Sequence, residues 1–142
     1  MPAVEEFALR QRLREAQAVA DLAGEVGGEA AIDIGERKSN AESAFPAAVQ
    51  TLVSPGTLYD QDGRGGTRQM LVRYETFGLT ADSTALLTDA IATELETKPA
   101  AAIGGVRFQR GMVFAERNGG VEALGDLTIH RRILDMEITA TT

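Results

Sequence analysis

From Thr67 to Phe77 the side chains alternate between two sets, and from Thr80 to Leu95 the pattern switches to a helical period. Met70, Val72 and Tyr74 share one side of the first segment, while Gln69, Leu71, Arg73, Glu75 and Phe77 share the other. Such alternation marks a strand with one buried face. The second, mostly polar set should therefore face solvent or a partner subunit. In the helix that follows, Thr80 is placed to cap the free amides and Asp82 sits at the positive end of the dipole. Leu86, Leu87, Ala90, Ile91 and Leu95 form a broad apolar stripe, and Pro99 ends the helix. It is expected to lie flat on the sheet.

The rest of the chain divides at its glycines and prolines. A helix is expected from Val4 to Leu22, with Glu5 and Glu6 early and Gly24, Gly27 and Gly28 as its stop. Leu9, Leu13, Ala16 and Ala20 make one stripe suited to a core. Val4, Phe7, Ala18 and Leu22 lie roughly opposite, where either a neighbour or the protein's own loops would cover them. Ala30 to Ile34 reads as a short strand and the polar run Gly35 to Ala44 as an exposed loop. Phe45 and Pro46 open an extended run, Ala47 to Val53, closed by Ser54-Pro55-Gly56. Leu58 to Gly78 reads as a hairpin with DQDGRGG, Asp60 to Gly66, at its tip. A strand from Val106 to Ala115 places Val106, Phe108, Met112 and Phe114 inward, and Arg117 to Gly120 is expected to turn the chain.

The final strand, about Leu127 to Thr139, changes parity. Leu127 and Ile129 are apolar at odd positions and Leu134, Met136 and Ile138 at even ones. Either a bulge near Arg131 to Ile133 reconciles the halves, or one half packs on its own core and the other meets a neighbour.

At 142 residues with a hydrophobic fraction of 44%, one compact domain spanning 1–142 is expected. No stretch approaches the roughly 18 apolar residues of a membrane span, and the charged start is unlike a signal peptide. With Cys 0, disulfides, thiolate metal sites and a cysteine nucleophile are excluded, which fits assembly in a reducing cytoplasm. The net charge of -7 argues against a chain that grips nucleic-acid phosphates. Of 14 basic residues only Lys38 and Lys98 are lysines, leaving 12 arginines, the type enriched at protein interfaces and in high-GC coding.

Catalytic patterns are weak. His130 is the sole histidine and has no nucleophile elbow or second ligand in the sequence. Asp60-Gln61-Asp62-Gly63 fails the calcium-loop pattern, since Leu71 stands where its glutamate belongs. Gly63, Gly65 and Gly66 break the dinucleotide spacing at Arg68 and lead into a strand. The carboxylate pairs Asp33 with Glu36 and Asp135 with Glu137 read as solvated charges. No enzyme activity, metal or cofactor is expected.

Four blocks, Phe7 to Gly24, Phe45 to Leu52, Arg68 to Leu95 and His130 to Thr139, taken in order, resemble the tail terminator (tail completion) proteins of long-tailed bacteriophages and phage-like particles such as gene transfer agents. The pattern departs at Ala47 and Ala48, where relatives tend to carry larger apolar or aromatic residues. What matches is an order of elements and a hydrophobic texture. The resemblance implies an α+β domain with two main helices on one face of a mostly antiparallel sheet. It further implies a structural virion protein, assembled in the bacterial host cytoplasm and located in the tail or neck. Such subunits form a homo-oligomeric, hexameric ring that ends the tail tube and joins it to the head-tail connector or adaptor protein. DNA passes the channel without specific binding, and no membrane is involved. An acidic surface lining that channel would repel the phosphates.

A closed ring needs a heterologous interface repeated by rotation. Sheet edges, the polar loop and the arginine-bearing strand faces are the candidates, with Glu36, Arg37, Lys38, Asp60, Asp62, Arg64, Arg73, Arg131 and Arg132 as interface residues. Another neck ring, such as a head completion protein, is the closest alternative. A small cytoplasmic ligand-binding α+β dimer is a further one, and it would need a deep pocket with convergent polar groups.

Overall fold

The computed structural model describes residues 3–60, 63–97 and 102–142. Its centre is a long antiparallel pair, β6 (Gly63–Gly78) and β9 (Leu127–Thr141), in register from Thr67 opposite Thr141 to Gly78 opposite His130 without a shift. The alternation in both strands decides what lies on each side. Met70, Val72 and Tyr74 meet Ile138, Met136 and Leu134, and all six are essentially inaccessible. Onto this face pack α1 (Ala3–Glu15) and α3 (Ala81–Glu96), through Leu9, Leu13, Leu87, Ile91 and Leu95. The fold is α+β, with both main helices on one face of a mostly antiparallel sheet.

On one flank of β6 runs β4 (Ala47–Ser54), antiparallel, and beyond it the short parallel β3 (Ile32–Ile34). After the Pro55-Gly56 kink, β5 (Thr57–Asp60) pairs with the near half of β6. On the other flank, β9 pairs with β7 (Arg107–Phe108) and β8 (Met112–Leu124). A two-stranded ribbon, β1 (Glu25–Val26) and β2 (Glu29–Ala30), follows the short helix α2 (Gln17–Ala20). Thr80 caps α3 as its sequence predicts, its hydroxyl accepting from Ser83 N at 3.0 Å.

Several local expectations are corrected. The first helix breaks at Ala16, whose extended backbone separates α1 from α2. The protein's own loops do not cover its second stripe: Val4, Phe7 and Leu22 are exposed, as is Leu86 on α3. The strand expected from Val106 to Ala115 is two strands. Gly111 lies between them and donates to Leu95 O at 2.7 Å, and a Cβ there would press on Leu95 and Ile138. Val106 and Phe108 are buried, whereas Met112 and Phe114 stand in solvent. Residues 117–120 do not turn the chain: β8 continues to Leu124, and Gly125 and Asp126 make the turn.

The parity change in β9 has no bulge of its own. Register shifts fall on β8 instead, between Val113 and Ala115 and between Asn118 and Gly120. Both halves of β9 are apolar because each side of the sheet has a core. Leu134, Met136 and Ile138 serve the helical side, while Ile129 joins Ala31, Phe45 and Ala47 on the other. That second side is thus covered at one end by the protein's own segment from Val26 to Phe45, and wet only beyond it.

Candidate functional site

Two surfaces stand out once the sheet is assembled. The first is the outer edge of β8. This strand pairs only with β9, so its other side presents backbone amides and carbonyls without a strand beside them among the described residues. Met112 is 58% exposed, Val113 44%, Phe114 67% and Val121 62%. A long edge with such side chains and no proline or lysine is a template for another strand. The opposite margin is also open in part. β3 pairs with Ala48 to Gln50 only, leaving the outer side of β4 from Thr51 to Ser54 without a strand among the described residues. Val53 there is 46% exposed.

The second surface is the open part of the sheet face away from the helices. Arg73 grips Asp135 with both arms of its guanidinium, Nε to Oδ1 at 2.8 Å and Nη2 to Oδ2 at 3.3 Å. Arg117 approaches the same carboxylate from β8 at 3.7 Å. Asp135 is buried beneath them, and the hydrogen bond to Asp135 raises the pKa of Arg73 further above its ordinary value. One row along, Arg131 pairs with Glu75 and lies over the Phe77 ring at 5.9 Å. Arg37 comes in from the 35–44 loop, 4.5 Å from the Phe77 ring centre and 5.3 Å from that of Phe45. Such cation–π contacts fasten a loop that composition alone describes as free.

The interface residues expected from sequence are therefore divided. Arg37, Arg73 and Arg131 converge on this one face. Arg132 points to the helical side and pairs with Glu116. Glu36 and Lys38 are exposed on the loop. Asp60 and Arg64 lie in β5 and β6 at the hairpin end, with Tyr59 opposite Arg64, and Asp62 falls outside the described residues, as does Pro99. The residues that sequence reasoning missed are Met112, Val113, Phe114 and Val121. The alternation of Met112 and Phe114 continues that of Val106 and Phe108, and only Gly111 signals that the strand has been interrupted.

The carboxylate pairs need correction: Asp33 and Asp135 are buried in ion pairs, not solvated. Asp33 meets Arg14 at 3.4 Å. His130 is half-buried, with its backbone carbonyl 3.4 Å from Thr84 Oγ1. Among the described residues no group of three or more acidic or histidine side chains is arranged to hold a metal ion. No helix among them is long and apolar enough to cross a membrane. A cleft of about 290 Å³ lies beside Gln11, Arg14, Glu15, Glu25 and Glu29, open and polar.

A buried polar chain ties α1 to the sheet. Tyr74 donates to Gln50 Oε1 at 2.9 Å, and Gln50 Nε2 donates to Glu6 O at 2.9 Å. Burial pushes the Tyr74 phenol well above its ordinary value of 10.0, with Arg12 opposing the shift. Because the folded pKa is the higher one, this hydroxyl stabilises the fold fully below pH 10 and loses that contribution as pH rises further. Thermal melts of the wild type should therefore fall steeply above about pH 10. Tyr74→Phe should melt lower at pH 7, by about 1 to 3 kcal/mol for the orphaned Gln50 oxygen, and should show a shallower alkaline decline. A variant with an unchanged alkaline slope would show that another group carries it.

No protein-family model matches the chain, and no curated protein matches it. In structure it is similar to a chain described as "Virion of native gene transfer agent (GTA) particle", with a TM-score of 0.57 and 13% sequence identity, over 96% of this chain and 94% of that one. Likeness at that identity is a likeness of fold.

Proposed function

We propose that the chain is a structural virion protein, a subunit whose copies close into a ring that ends a tail tube and joins it to the head connector. The observation that carries this reading is the near end-to-end likeness of fold to a chain in a gene transfer agent virion. The open sheet margins give the reading a mechanism. β8 is antiparallel to β9, β9 to β6 and β6 to β4, so β8 and β4 run in opposite directions. Rotation about an axis along the strands leaves those directions unchanged. It brings β8 of one copy against β4 of the next as an antiparallel pair, a heterologous contact that repeats until the ring closes. The helices, which need more room, then take the outer circumference and the open sheet face looks inward.

The experiment presents purified protein separately to tail tubes and to tailless heads of the same particle. Retention on tubes, at one end only, is expected. Retention on heads alone would place the chain in another neck ring, and retention on neither would remove the virion role.

A further inference from the structure

We infer that residues 36–41 form a strap that opens off the sheet face while the rest of the subunit stays folded, and that Arg37 alone holds it shut. The inference is independent of the ring reading. Both ends of the strap are fixed. Gly35 N donates to Gln50 O at 3.1 Å, and at the far end Ala44 is buried so close to Gly24 that a Cβ there would strike its backbone. Between these points the chain has little to hold it. Glu36, Lys38, Asn40 and Ala41 are exposed. Among the described residues, the hydrogen bonds of this stretch stay within the segment that ends at Phe45. Ala41 N donates to Ser39 Oγ at 3.1 Å, and Ala41 O accepts from Ala44 N at 2.9 Å. What reaches the sheet is the Arg37 guanidinium, 4.5 Å from the Phe77 ring centre and 5.3 Å from that of Phe45.

Such a latch is closely balanced. Arg12, Arg14, Arg68 and Arg73 each join two elements through a carboxylate. Arg37 makes no ion pair among the described residues, and its Nη1 is out of solvent without a hydrogen-bond partner. A donor taken from water and left unpaired destabilises the closed state. The ring faces attract the cation, and more strongly where water is excluded. The two effects are of similar size and opposite sign, so closure wins by a small margin. Opening returns water to Nη1 and uncovers the Phe77 and Phe45 rings, and it breaks no ion pair and no strand pairing. Segments with few buried contacts are the ones that open without global unfolding.

Lys38 makes the opening measurable, because Lys38 and Lys98 are the only lysines of the chain. In a Lys98→Arg background a lysine-specific protease has one site, beside the latch. Each rate is compared with that of a free peptide of residues 33–43 carrying the same residue 37. The protein with Arg37 should be cut far more slowly than its peptide, at a rate that 1 M urea hardly changes, since opening the strap exposes little surface. Arg37→Gln should be cut about tenfold faster, the effect of losing two ring contacts, with a melting temperature lower by no more than about 5 °C. Phe77→Leu should also speed the cut, and adding it to Arg37→Gln should change little further, because both remove the same contact. Arg37→Met keeps the bulk without the charge and should be cut as fast as Arg37→Gln. Should Phe77→Leu unfold, the two Arg37 variants carry the test. Slow cutting of either Arg37 variant overturns the inference. So does a starting protein cut as fast as its peptide, which would have no closed strap, or one whose cutting climbs steeply with urea, which would need global unfolding.

Discussion

Replacing Phe114 and Val121 with lysine should leave the subunit folded and abolish its assembly. Both side chains are more than half exposed, and neither belongs to an apolar cluster. Surface changes of this kind shift subunit stability by about 0.5 kcal/mol or less. At the β8 edge they place charges where a second strand must dock, the device by which sheet edges are ordinarily protected. Losing two apolar anchors costs an interface about 2 to 4 kcal/mol, a factor of roughly 30 to 1,000 in each contact, and a ring repeats that loss at every contact. Leu86→Lys is the matched control, because Leu86 is 54% exposed and lies on α3 and not on either open strand. Light scattering with tubes added should show rings for the control and none for the edge variant. Assembly surviving in the edge variant would remove β8 from the interface.

Arg12→Met should lower stability by about 3 kcal/mol, or roughly 10 °C in melting temperature for a chain of this size. Arg12 is only 4% exposed, yet it belongs to α1 and serves another helix. Its Nη2 donates to Glu94 O at 2.6 Å and Thr97 O at 3.0 Å, and its Nε lies 3.4 Å from the Glu94 carboxylate. The last carbonyls of a helix lack intrahelical donors and form the negative end of its dipole, so a guanidinium there answers both deficits. The stem packs near Phe108, with the guanidinium carbon 5.7 Å from that ring, and Met preserves much of this bulk. The loss should therefore come from the polar contacts. Arg12→Lys, with one charge and no fork, should recover part of it. A melting shift under about 2 °C in Arg12→Met would mean that water replaces the guanidinium without penalty.

The centre of the fold was legible because its residues obey one period at a time. Met70, Val72 and Tyr74 read as buried and are buried, and Thr80 reads as a cap and caps. What failed did so where a tertiary partner overrides local pattern. Met112 and Phe114 continue the alternation of Val106 and Phe108, but Gly111 steps toward Leu95, and β8 resumes against β9 with a register shift between Val113 and Ala115. The apolar switch in β9 reads as a bulge only if one core is assumed. A second cluster around Phe45 and Ile129 accounts for it without one.

The paired-charge face was legible in part. Alternation put Arg73 and Glu75 together on the polar side. That Asp135 would be buried under Arg73 depends on the pairing of β6 with β9, a separation of 62 residues that no local rule reports. Arg37 could be placed in its loop by composition, but its seat against Phe45 and Phe77 required both strands to be in position.

The most direct test of the ring is negative-stain imaging of the wild-type protein, over a range of concentrations and with tail tubes present. Closed particles with rotational symmetry and a central pore, seated at one end of each tube, are the predicted result. Subunits that decorate tubes along their length, or assemble with no axis enclosing a pore, would contradict it.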